Sequence, residues 1–260
     1  MKTDILEGRF GSAKSLATWV AWPRSHAYYT RNNWAGRKWT DDHQPVFDSP
    51  ANNATAHYLH LMLFLMGEQM SSSADPLRLE AECYRANAIE NFDAICCRIV
   101  TRQAPEILFY SAHCVDRHHD PVSRMEFDHA VITLDLQEGL VARFENGAEI
   151  HYGNPDADPL RKLDACVAHI RSQNPVTEIC GAKAALSHAA CMQAVQQAPI
   201  HDFPESWVQM KRWDEDDTLT YVQELASEME RAFTEGKLFF ESGLPWAQPA
   251  HRMEVADYEL

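Results

Sequence analysis

The chain has 260 residues and a mass of 29.6 kDa, enough to bury a large core as one domain. Its formal net charge of −15 argues against a polyanion-binding surface, so nucleic acid is not an expected partner. No apolar run approaches the ~20 residues of a membrane span, and no apolar signal segment opens the sequence, which predicts a soluble cytoplasmic protein without a membrane partner. The seven cysteines form no Cys-x-x-Cys pair, which indicates reduced, mostly buried thiols.

The first predicted element is a strand over Lys14–Trp22, which is rich in β-forming residues and stops before a proline. The loop that follows combines aromatic rings with planar hydrogen-bond donors. Such side chains suit sugars and carboxylates, because aromatic faces pack on C–H surfaces while Arg and Asn bind oxygens. A rim of half-buried aromatic residues is an equally good interpretation. The loop residues predicted to bind substrate are Trp22, Arg24, Tyr28, Arg31 and Trp34.

A strongly apolar helix is predicted next, with Ser49 as its N-cap and Gly67 just past its end. Asn53, His57 and His60 fall at i, i+4 and i+7, so the three polar side chains share one stripe of this helix. The remaining circumference is apolar, which predicts burial, and an unpaired buried polar group costs ~1–3 kcal/mol. The stripe therefore indicates either a ligand pocket or ordinary internal hydrogen bonds.

A run of short strands and then three helices complete the predicted elements. The strands are partly β-branched or aromatic and are separated by turn signals, which is typical of an antiparallel meander. They are expected at Leu79–Ala88, Phe92–Thr101, Ile107–Val115, Val122–Phe127, Ala130–Leu136, Leu140–Phe144 and Glu149–Tyr152. The helices are expected at Pro159–Arg171, Gly181–Ala198 and about Thr218–Glu235, the last entered through a solvated acidic cluster at 214–217.

This order of elements predicts an α+β fold, with one open, mainly antiparallel sheet and helices on one of its faces. A large sheet face left bare would expose apolar area, so a symmetric copy or a second domain is expected to cover it. We therefore expect residues 1–260 to form one domain that assembles into a homo-oligomer through the open sheet face.

A metal site and a nucleophilic site are the competing interpretations. His57 and His60 at i, i+3 and a His- and Asp-rich segment at 116–120 offer metal ligands, but neither spacing is diagnostic, and no metal is expected. The sequence has no G-x-S-x-G elbow for nucleophilic hydrolysis. Cys96 and Cys97 fall in a predicted strand and are interpreted as core residues. His188 is interpreted as a hydrogen-bonded core histidine, with a ligand contact as the alternative.

Several segments together resemble one known family. They are Trp22-Pro-Arg24 with Tyr28-Tyr-x-Arg31-Asn-Asn-Trp-Ala-Gly-Arg37, Asp48-Ser-Pro-x-Asn-Asn-Ala-x-Ala-His57-Tyr-Leu, Tyr84-Arg-Ala-Asn87-x-Ile-Glu-Asn91-Phe-Asp93, and the ending Gly243-Leu-Pro-Trp-Ala247. These segments look like the C-terminal domain of the glucose–fructose oxidoreductase / inositol dehydrogenase (Gfo/Idh/MocA) family. That family joins a Rossmann domain, which binds NAD or NADP, to an α+β domain that holds the substrate and forms the oligomer.

The resemblance implies an NAD(P)-dependent dehydrogenase that transfers hydride at a secondary alcohol of a sugar or polyol. By resemblance, His57 exchanges a proton with the substrate hydroxyl. Asn53 stands where the family usually has an Asp, which leaves it a role in positioning the substrate. The further substrate contacts expected are His60, Arg85, Asn87 and Glu90.

The sequence departs from the family in its cofactor-binding features. It has no G-x-G-x-x-G fingerprint, the nearest approach being Gly8-Arg-Phe-Gly11, and no counterpart of the family's Glu-Lys-Pro lysine. NAD or NADP is therefore expected on a Rossmann domain outside these 260 residues. Two hypotheses remain: a substrate-binding domain that needs that Rossmann half, or a stand-alone, non-catalytic carbohydrate-binding or oligomerisation module.

Overall fold

The computed structural model describes residues 1–103, 106–155, 157–158, 160–172 and 180–255. The helices of this part are α1 Lys2–Leu6, α2 His26–Thr30, α3 Ala56–Leu65, α4 Arg161–Arg171, α5 Ala182–Val195 and α6 Leu225–Glu235. The strands are β1 Ala13–Ala21, β2 Pro76–Arg85, β3 Ala94–Thr101, β4 Glu106–Ala112, β5 His119–Phe127, β6 Ala130–Asp135, β7 Gly139–Phe144, β8 Glu149–Gly153, β9 Ile200–Asp202, β10 Val208–Asp214, β11 Asp217–Val222 and β12 His251–Glu254.

One large open sheet dominates this α+β fold, as the sequence predicts. Its strand order is β12-β2-β3-β4-β1-β5-β6-β7-β8, with β9 also paired to β2. Most neighbours are antiparallel, but β1 lies parallel to β4 and β9 lies parallel to β2. The first strand of the chain therefore sits at the centre of the sheet, between β4 and β5. A simple meander does not predict that insertion.

Side chains of β1 alternate between two apolar layers, one on each face of the sheet. Leu16 and Val20 belong to the layer that contains residues of α3 and α5. Trp19 and Ala21 belong to the opposite layer, which is formed with α6 and the segment 238–247. Helices thus cover both faces at the centre of the sheet, whereas the sequence prediction placed them on one face.

The β5–β8 end of the sheet is polar on the face away from the α3 and α5 layer. Arg124 and Glu126 pair with each other there, and Arg143 pairs with Glu149. These side chains alternate with buried residues such as Ile132 in the neighbouring strand. The expected homo-oligomer through an open sheet face stays a prediction, and this polar surface is the part of the sheet where it would form.

The apolar helix begins later than the sequence predicts. Ser49 does cap a helical turn, because its Oγ accepts the Asn52 N–H at 3.3 Å, but that turn is a short 3₁₀ helix over 50–52. Thr55 Oγ1 then donates to Pro50 O at 2.7 Å, and α3 starts only at Ala56. Asn53, with φ −134° and ψ −94°, lies outside regular helix. The predicted three-residue stripe along one helix is therefore wrong for Asn53.

The predicted helix at Thr218–Glu235 is wrong in its first half. Residues 217–222 form β11, which pairs with β10 in a separate two-stranded hairpin. The acidic cluster at 214–217 is the turn of this hairpin rather than a helix start. Glu224 then adopts a left-handed conformation, φ 61°, and α6 begins at Leu225. The alternation of Thr218, Thr220 and Val222 is the strand signal that the acidic cluster obscured.

The other predicted elements agree with the structure to within three residues at each end, except that the predicted start of α4 at Pro159 lies outside the described residues. The short helices α1 and α2 and the strands β9, β10 and β12 were not predicted. Five of the seven free cysteines are buried, Cys96 and Cys97 among them, as expected. In the part of the chain that the structure describes, no helix combines the length and the apolar character that crossing a membrane requires.

A buried carboxyl group joins the sheet to the C-terminal segment. Glu82 on β2 is only 2% exposed. It accepts the Tyr84 hydroxyl at 2.8 Å and the Phe240 N–H at 3.1 Å, and the Gln248 N–H in turn donates to the Tyr84 hydroxyl at 2.9 Å. Burial raises the pKa of Glu82 to about 7, although these hydrogen bonds partly oppose the shift.

This pKa predicts a specific loss of stability between pH 4.5 and 7. The unfolded chain ionises Glu82 near its ordinary value of 4.5, while the folded chain keeps its proton up to about 7. Rising pH therefore favours unfolding across that window, by on the order of 3 kcal/mol in total, and has no further effect through this group above it. We expect Glu82→Gln to remove this component when urea unfolding is measured across the window.

Glu126→Gln, on the polar face of β5, serves as the matched control and should keep the wild-type pH dependence. Parallel pH profiles for the wild type and Glu82→Gln would show that the folded protein holds Glu82 with an ordinary pKa.

Candidate functional site

The candidate site lies on the loop 22–49, which runs from the C-terminal end of β1 toward the start of α3. Asp48, which is 5% exposed, anchors this loop. Its Oδ2 accepts the Gly36 N–H at 2.7 Å, and its Oδ1 accepts the Asn53 side-chain amide at 2.8 Å. Burial raises the pKa of the Asp48 carboxyl, while these two donors and the nearby arginines Arg24 and Arg31 lower it.

Gly36 is the point where this loop meets the turn between β2 and β3. Its carbonyl accepts the N–H groups of Glu90 and Asn91 at 3.1 and 2.8 Å. Its φ is +71°, and a Cβ atom there would lie 2.9 Å from a methyl carbon of Ile89. Only glycine meets both conditions without strain, so the close approach of the two segments depends on it.

Three of the predicted site residues contact Tyr28. The Asn53 amide donates to the Tyr28 hydroxyl at 3.1 Å. The guanidinium carbons of Arg31 and Arg24 lie 3.9 and 5.0 Å from the centre of the Tyr28 ring, and Arg31 also lies 5.3 Å from the Trp34 ring. Cation–π contacts of this kind fix both the aromatic ring and the cations. Four of the five predicted loop residues, all but Trp22, thus belong to one contact group, the Tyr28 group.

Trp22 joins that loop to the first turn of α3. Its ring lies 6.2 Å from the exposed imidazole of His57 and 5.9 Å from the buried ring of Tyr58. On another side it stacks on His118, with centroids 5.5 Å apart and an interplanar angle of 15°. His57 is therefore placed at the surface beside two aromatic rings, four residues after Asn53 in the sequence.

His113 supports the loop from below. Its Nδ1–H donates to Trp22 O at 2.8 Å, and its carbonyl accepts the Arg24 N–H at 3.0 Å. Burial, together with the positive charge of Arg24, lowers the pKa of His113 to about 3, so the imidazole is neutral at physiological pH. The sequence favours the same interpretation for His113 as for His188, a hydrogen-bonded core histidine, and its position near the end of a predicted strand was the only available signal.

A cavity of about 400 Å³ opens beside Tyr28. One of its lining residues, Trp213, lies on the β10–β11 hairpin. The sequence pattern predicted a helix where β11 lies, so it did not indicate that Trp213 reaches this cavity. The hairpin is tied to α2, since His26 Nε2 and Thr220 Oγ1 lie 2.7 Å apart and the Ala27 N–H donates to Asp217 at 3.1 Å. The residues lining the cavity are Pro23, Arg24, Ser25, Tyr28, Arg31 and Trp213.

His60 has different surroundings from His57. Its Nε2 lies 3.2 Å from Ala184 O on α5 and 3.4 Å from the Ser73 hydroxyl, and burial lowers its pKa. His188 nearby donates to Ala51 O at 2.9 Å, which fits its interpretation as a hydrogen-bonded histidine. The two imidazoles of α3 thus do not line a common pocket, and His60 makes the internal hydrogen bonds that the sequence left open as an alternative.

Arg85, Asn87 and Glu90 lie on the turn between β2 and β3. Arg85 pairs with Asp202 at 2.8 Å, and Glu90 accepts the Lys38 N–H at 2.9 Å. Asn87 donates to the buried carboxylate of Asp93 at 2.8 Å, while Arg85 and Asn87 also border a second cavity of about 580 Å³. The structure therefore places these three residues in a neighbouring region, joined to the Tyr28 group through Gly36.

The described residues contain no group of three or more His, Cys, Asp or Glu side chains that could hold a metal ion. In the His- and Asp-rich segment, His118 Nε2 lies 3.0 Å from Asp120, and both side chains are exposed.

No family model matches the chain, and the search of curated proteins also finds no match. Solved structures do share its fold. The WlbA dehydrogenase from Bordetella pertussis, solved with NADH and UDP-GlcNAcA, is 17% identical with a TM-score of 0.53, over 75% of this chain and 56% of that one. An oxidoreductase from Agrobacterium radiobacter, solved with NAD+, L-tartaric acid and magnesium, is 13% identical with a TM-score of 0.54, over 75% and 57%.

The UDP-N-acetylglucosamine 3-dehydrogenase GnnA from Acidithiobacillus ferrooxidans is 14% identical with a TM-score of 0.51, over 75% of this chain and 55% of that one. The chain thus spans just over half the length of these structures. The resemblance predicted from the sequence is confirmed at the level of the fold: the described residues have the α+β architecture of part of these oxidoreductases.

The role of Asp48 can be tested by Asp48→Ala. The change leaves the buried Gly36 N–H and the Asn53 amide without their acceptor, which should lower the free energy of unfolding by about 2–3 kcal/mol. We expect faster amide hydrogen exchange at Gly36 in the same variant. Asp41→Ala in the same loop is the matched control. Among the described residues the Asp41 side chain forms only an exposed pair with Arg37, so this change should cost less than about 1 kcal/mol. Equal losses in the two variants would contradict the anchoring role.

Proposed function

We propose that residues 1–260 form the substrate-binding domain of an NAD(P)-dependent oxidoreductase that oxidises a secondary alcohol of a sugar or polyol. The observation that carries this proposal is the Tyr28 group, which combines aromatic faces with amide and guanidinium donors, on the loop whose Trp22 ring lies beside the exposed imidazole of His57. The fold shared with dehydrogenases supports it. Sugar-like ligands need this combination, since ring C–H groups pack on aromatic faces and hydroxyls need directed hydrogen bonds.

The chemistry assigned to this chain is binding, orientation and proton exchange. Oxidation of a secondary alcohol releases a hydride and the hydroxyl proton, and His57 is the residue proposed to accept that proton. Asn53 and the Tyr28 hydroxyl, which are hydrogen-bonded to each other, would orient the substrate oxygens beside it. Trp22 packs next to the imidazole and limits its movement. Because His57 is exposed, a covering domain would be needed to exclude water from the reaction.

The residues of this chain do not fit a dinucleotide. The sequence contains no G-x-G-x-x-G loop. The described part has two parallel strand pairs, β1 with β4 and β2 with β9, and antiparallel strands flank both of them. They therefore do not form the parallel sheet that binds a nucleotide. We therefore assign no cofactor contact here and propose that NAD or NADP binds to a separate Rossmann domain. The NADH and NAD+ complexes of the structural neighbours support this choice of cofactor.

The class of substrate is proposed from the same cluster. UDP-GlcNAcA and L-tartaric acid are bound in two of the structural neighbours, which supports a small hydroxylated compound. We also propose that four more distant residues contribute to substrate binding: His60, Arg85, Asn87 and Glu90. The structure shows these residues in internal contacts outside the Tyr28 group. Assembly into a homo-oligomer through the polar face of β5–β8 is part of the same proposal.

The proposal is tested by turnover with the missing half supplied. The chain is combined with an NAD(P)-binding Rossmann domain from a dehydrogenase of the same fold, and NAD(P)H formation is measured over a panel of sugars and cyclitols. We expect His57→Ala to lower kcat by about 100-fold or more while KM changes by less than about threefold, since His57 acts on the proton rather than on binding. His151→Ala is the matched control, because His151 is exposed on β8 and pairs only with Glu149 among the described residues.

Unchanged oxidation of every substrate by His57→Ala would remove His57 from the reaction. Calorimetric titration of the chain alone should show sugar binding without NADH or NADPH binding, and dinucleotide binding by the chain alone would contradict the division of roles. Sugar binding that persists while the complete two-domain protein gives no turnover would favour the alternative, a non-catalytic carbohydrate-binding module.

A further inference from the structure

Two arginines border the cavity beside Tyr28 without a carboxylate within salt-bridge distance among the described residues. In the same part of the chain, most other arginines are paired, for example Arg37 with Asp41. Arg24 and Arg31 form no such pair, although the protein contains 38 acidic residues against 23 basic ones. An acidic protein that leaves two guanidinium groups beside one cavity has a local positive site on a negative surface.

The planar guanidinium groups of these arginines lie beside the Tyr28 ring and also border the cavity. Both guanidinium groups lie over Tyr28, at 3.9 Å for Arg31 and 5.0 Å for Arg24. A guanidinium that stacks through its face keeps its N–H groups in its own plane, where they can bind oxygens in pairs. Arg24 uses one terminal nitrogen on Pro23 O at 3.1 Å, while its buried Nε–H has no acceptor among the described residues.

The nearby carboxylates do not cancel this charge. Asp48 interacts with both arginines, but its two oxygens already accept the Gly36 N–H and the Asn53 amide. Asp217 accepts N–H groups from α2 and from the start of β11. One negative charge from Asp48 therefore faces two positive charges, and the arginine N–H groups that face the cavity are not occupied by either carboxylate.

The hairpin side of the cavity adds an aromatic ring. Trp213, which is 45% exposed, forms part of the cavity wall. An indole face beside guanidinium groups suits a ligand with both a carbon ring and an anionic group.

We propose that this cavity binds an oxyanion, either a carboxylate or a phosphoryl group, carried by the sugar-sized substrate of the proposed oxidoreductase, with Arg24 and Arg31 as its ligands and Trp213 against its ring. This inference rests on the proposed function in one respect, namely that the ligand is the substrate of the oxidoreductase. It adds that the substrate is an acidic or phosphorylated sugar rather than a neutral one.

Isothermal titration calorimetry of the 260-residue chain tests this inference. The probes are D-glucuronate, D-glucose 6-phosphate, D-glucose and inorganic phosphate. We expect at least one charged sugar to bind about 10-fold or more tightly than glucose, with the preference falling as salt is added. Whichever charged sugar binds identifies the anion as carboxylate or phosphoryl. Inorganic phosphate should compete with the charged sugar and should not compete with glucose.

Arg31→Ala and Arg24→Ala should each reduce the preference for the charged sugar over glucose by about 10-fold. Arg31→Lys keeps the charge and should retain part of the preference, which guards against a variant that merely unfolds. Arg124→Ala, an exposed arginine paired with Glu126 on β5, is the matched control and should change nothing. Trp213→Phe should lose the fluorescence change that accompanies binding in the wild type.

Equal affinity for charged and neutral sugars, or an equal loss of both in Arg31→Ala, would overturn the inference. The same measurements distinguish failure of the anion site from failure of the proposed oxidoreductase function. Arginine-dependent binding of a charged sugar without turnover in the two-domain protein would leave the anion site standing and remove the oxidoreductase. Turnover of a neutral sugar with kcat/KM unaffected by Arg31→Ala would support the oxidoreductase and remove the anion site.

Discussion

The buried carboxylate of Asp48 connects three segments that are far apart in the sequence. It accepts hydrogen bonds from the aromatic loop at Gly36 and from the Asn53 amide ahead of α3, while its own carbonyl accepts the Asn91 amide from the β2–β3 turn. Burying an acid is unfavourable unless its oxygens are bonded, so this residue requires all three segments to be in place. Tyr28, which the Asn53 amide also contacts, and its stacked arginines are positioned through this same contact.

The sheet was predictable because its signal is local. Residues 121–127 and 130–135 alternate between core and surface, and that alternation can be seen in the sequence alone. The central place of β1 was not predictable, since pairing between strands separated by about a hundred residues leaves no local pattern. Likewise, the capping pattern of Ser49 was correct but belonged to a separate short turn, because the next residues turn away from the helix axis before α3 begins.

The candidate site shows the same division between local and distant information. Trp22, Arg24, Tyr28 and Arg31 were identified because they lie close together in one loop of unusual composition. Trp213 reaches the same cavity from a hairpin nearly two hundred residues further along the chain, and only tertiary structure reveals that. His60 was misleading in the opposite way: its spacing from His57 suggested a shared pocket, whereas packing against α5 gives it separate partners.

The insertion of β1 between β4 and β5 also determines when this surface exists during folding. The loop leaves the sheet from the end of a strand whose two neighbours are synthesised much later, at 106–112 and 119–127. Closing such long loops is entropically costly and slow. β1 therefore cannot pair with its neighbours in the sheet until residues 106–127 have been synthesised. The candidate site is thus a property of the completed sheet, and no early folding intermediate built from the first hundred residues can contain it.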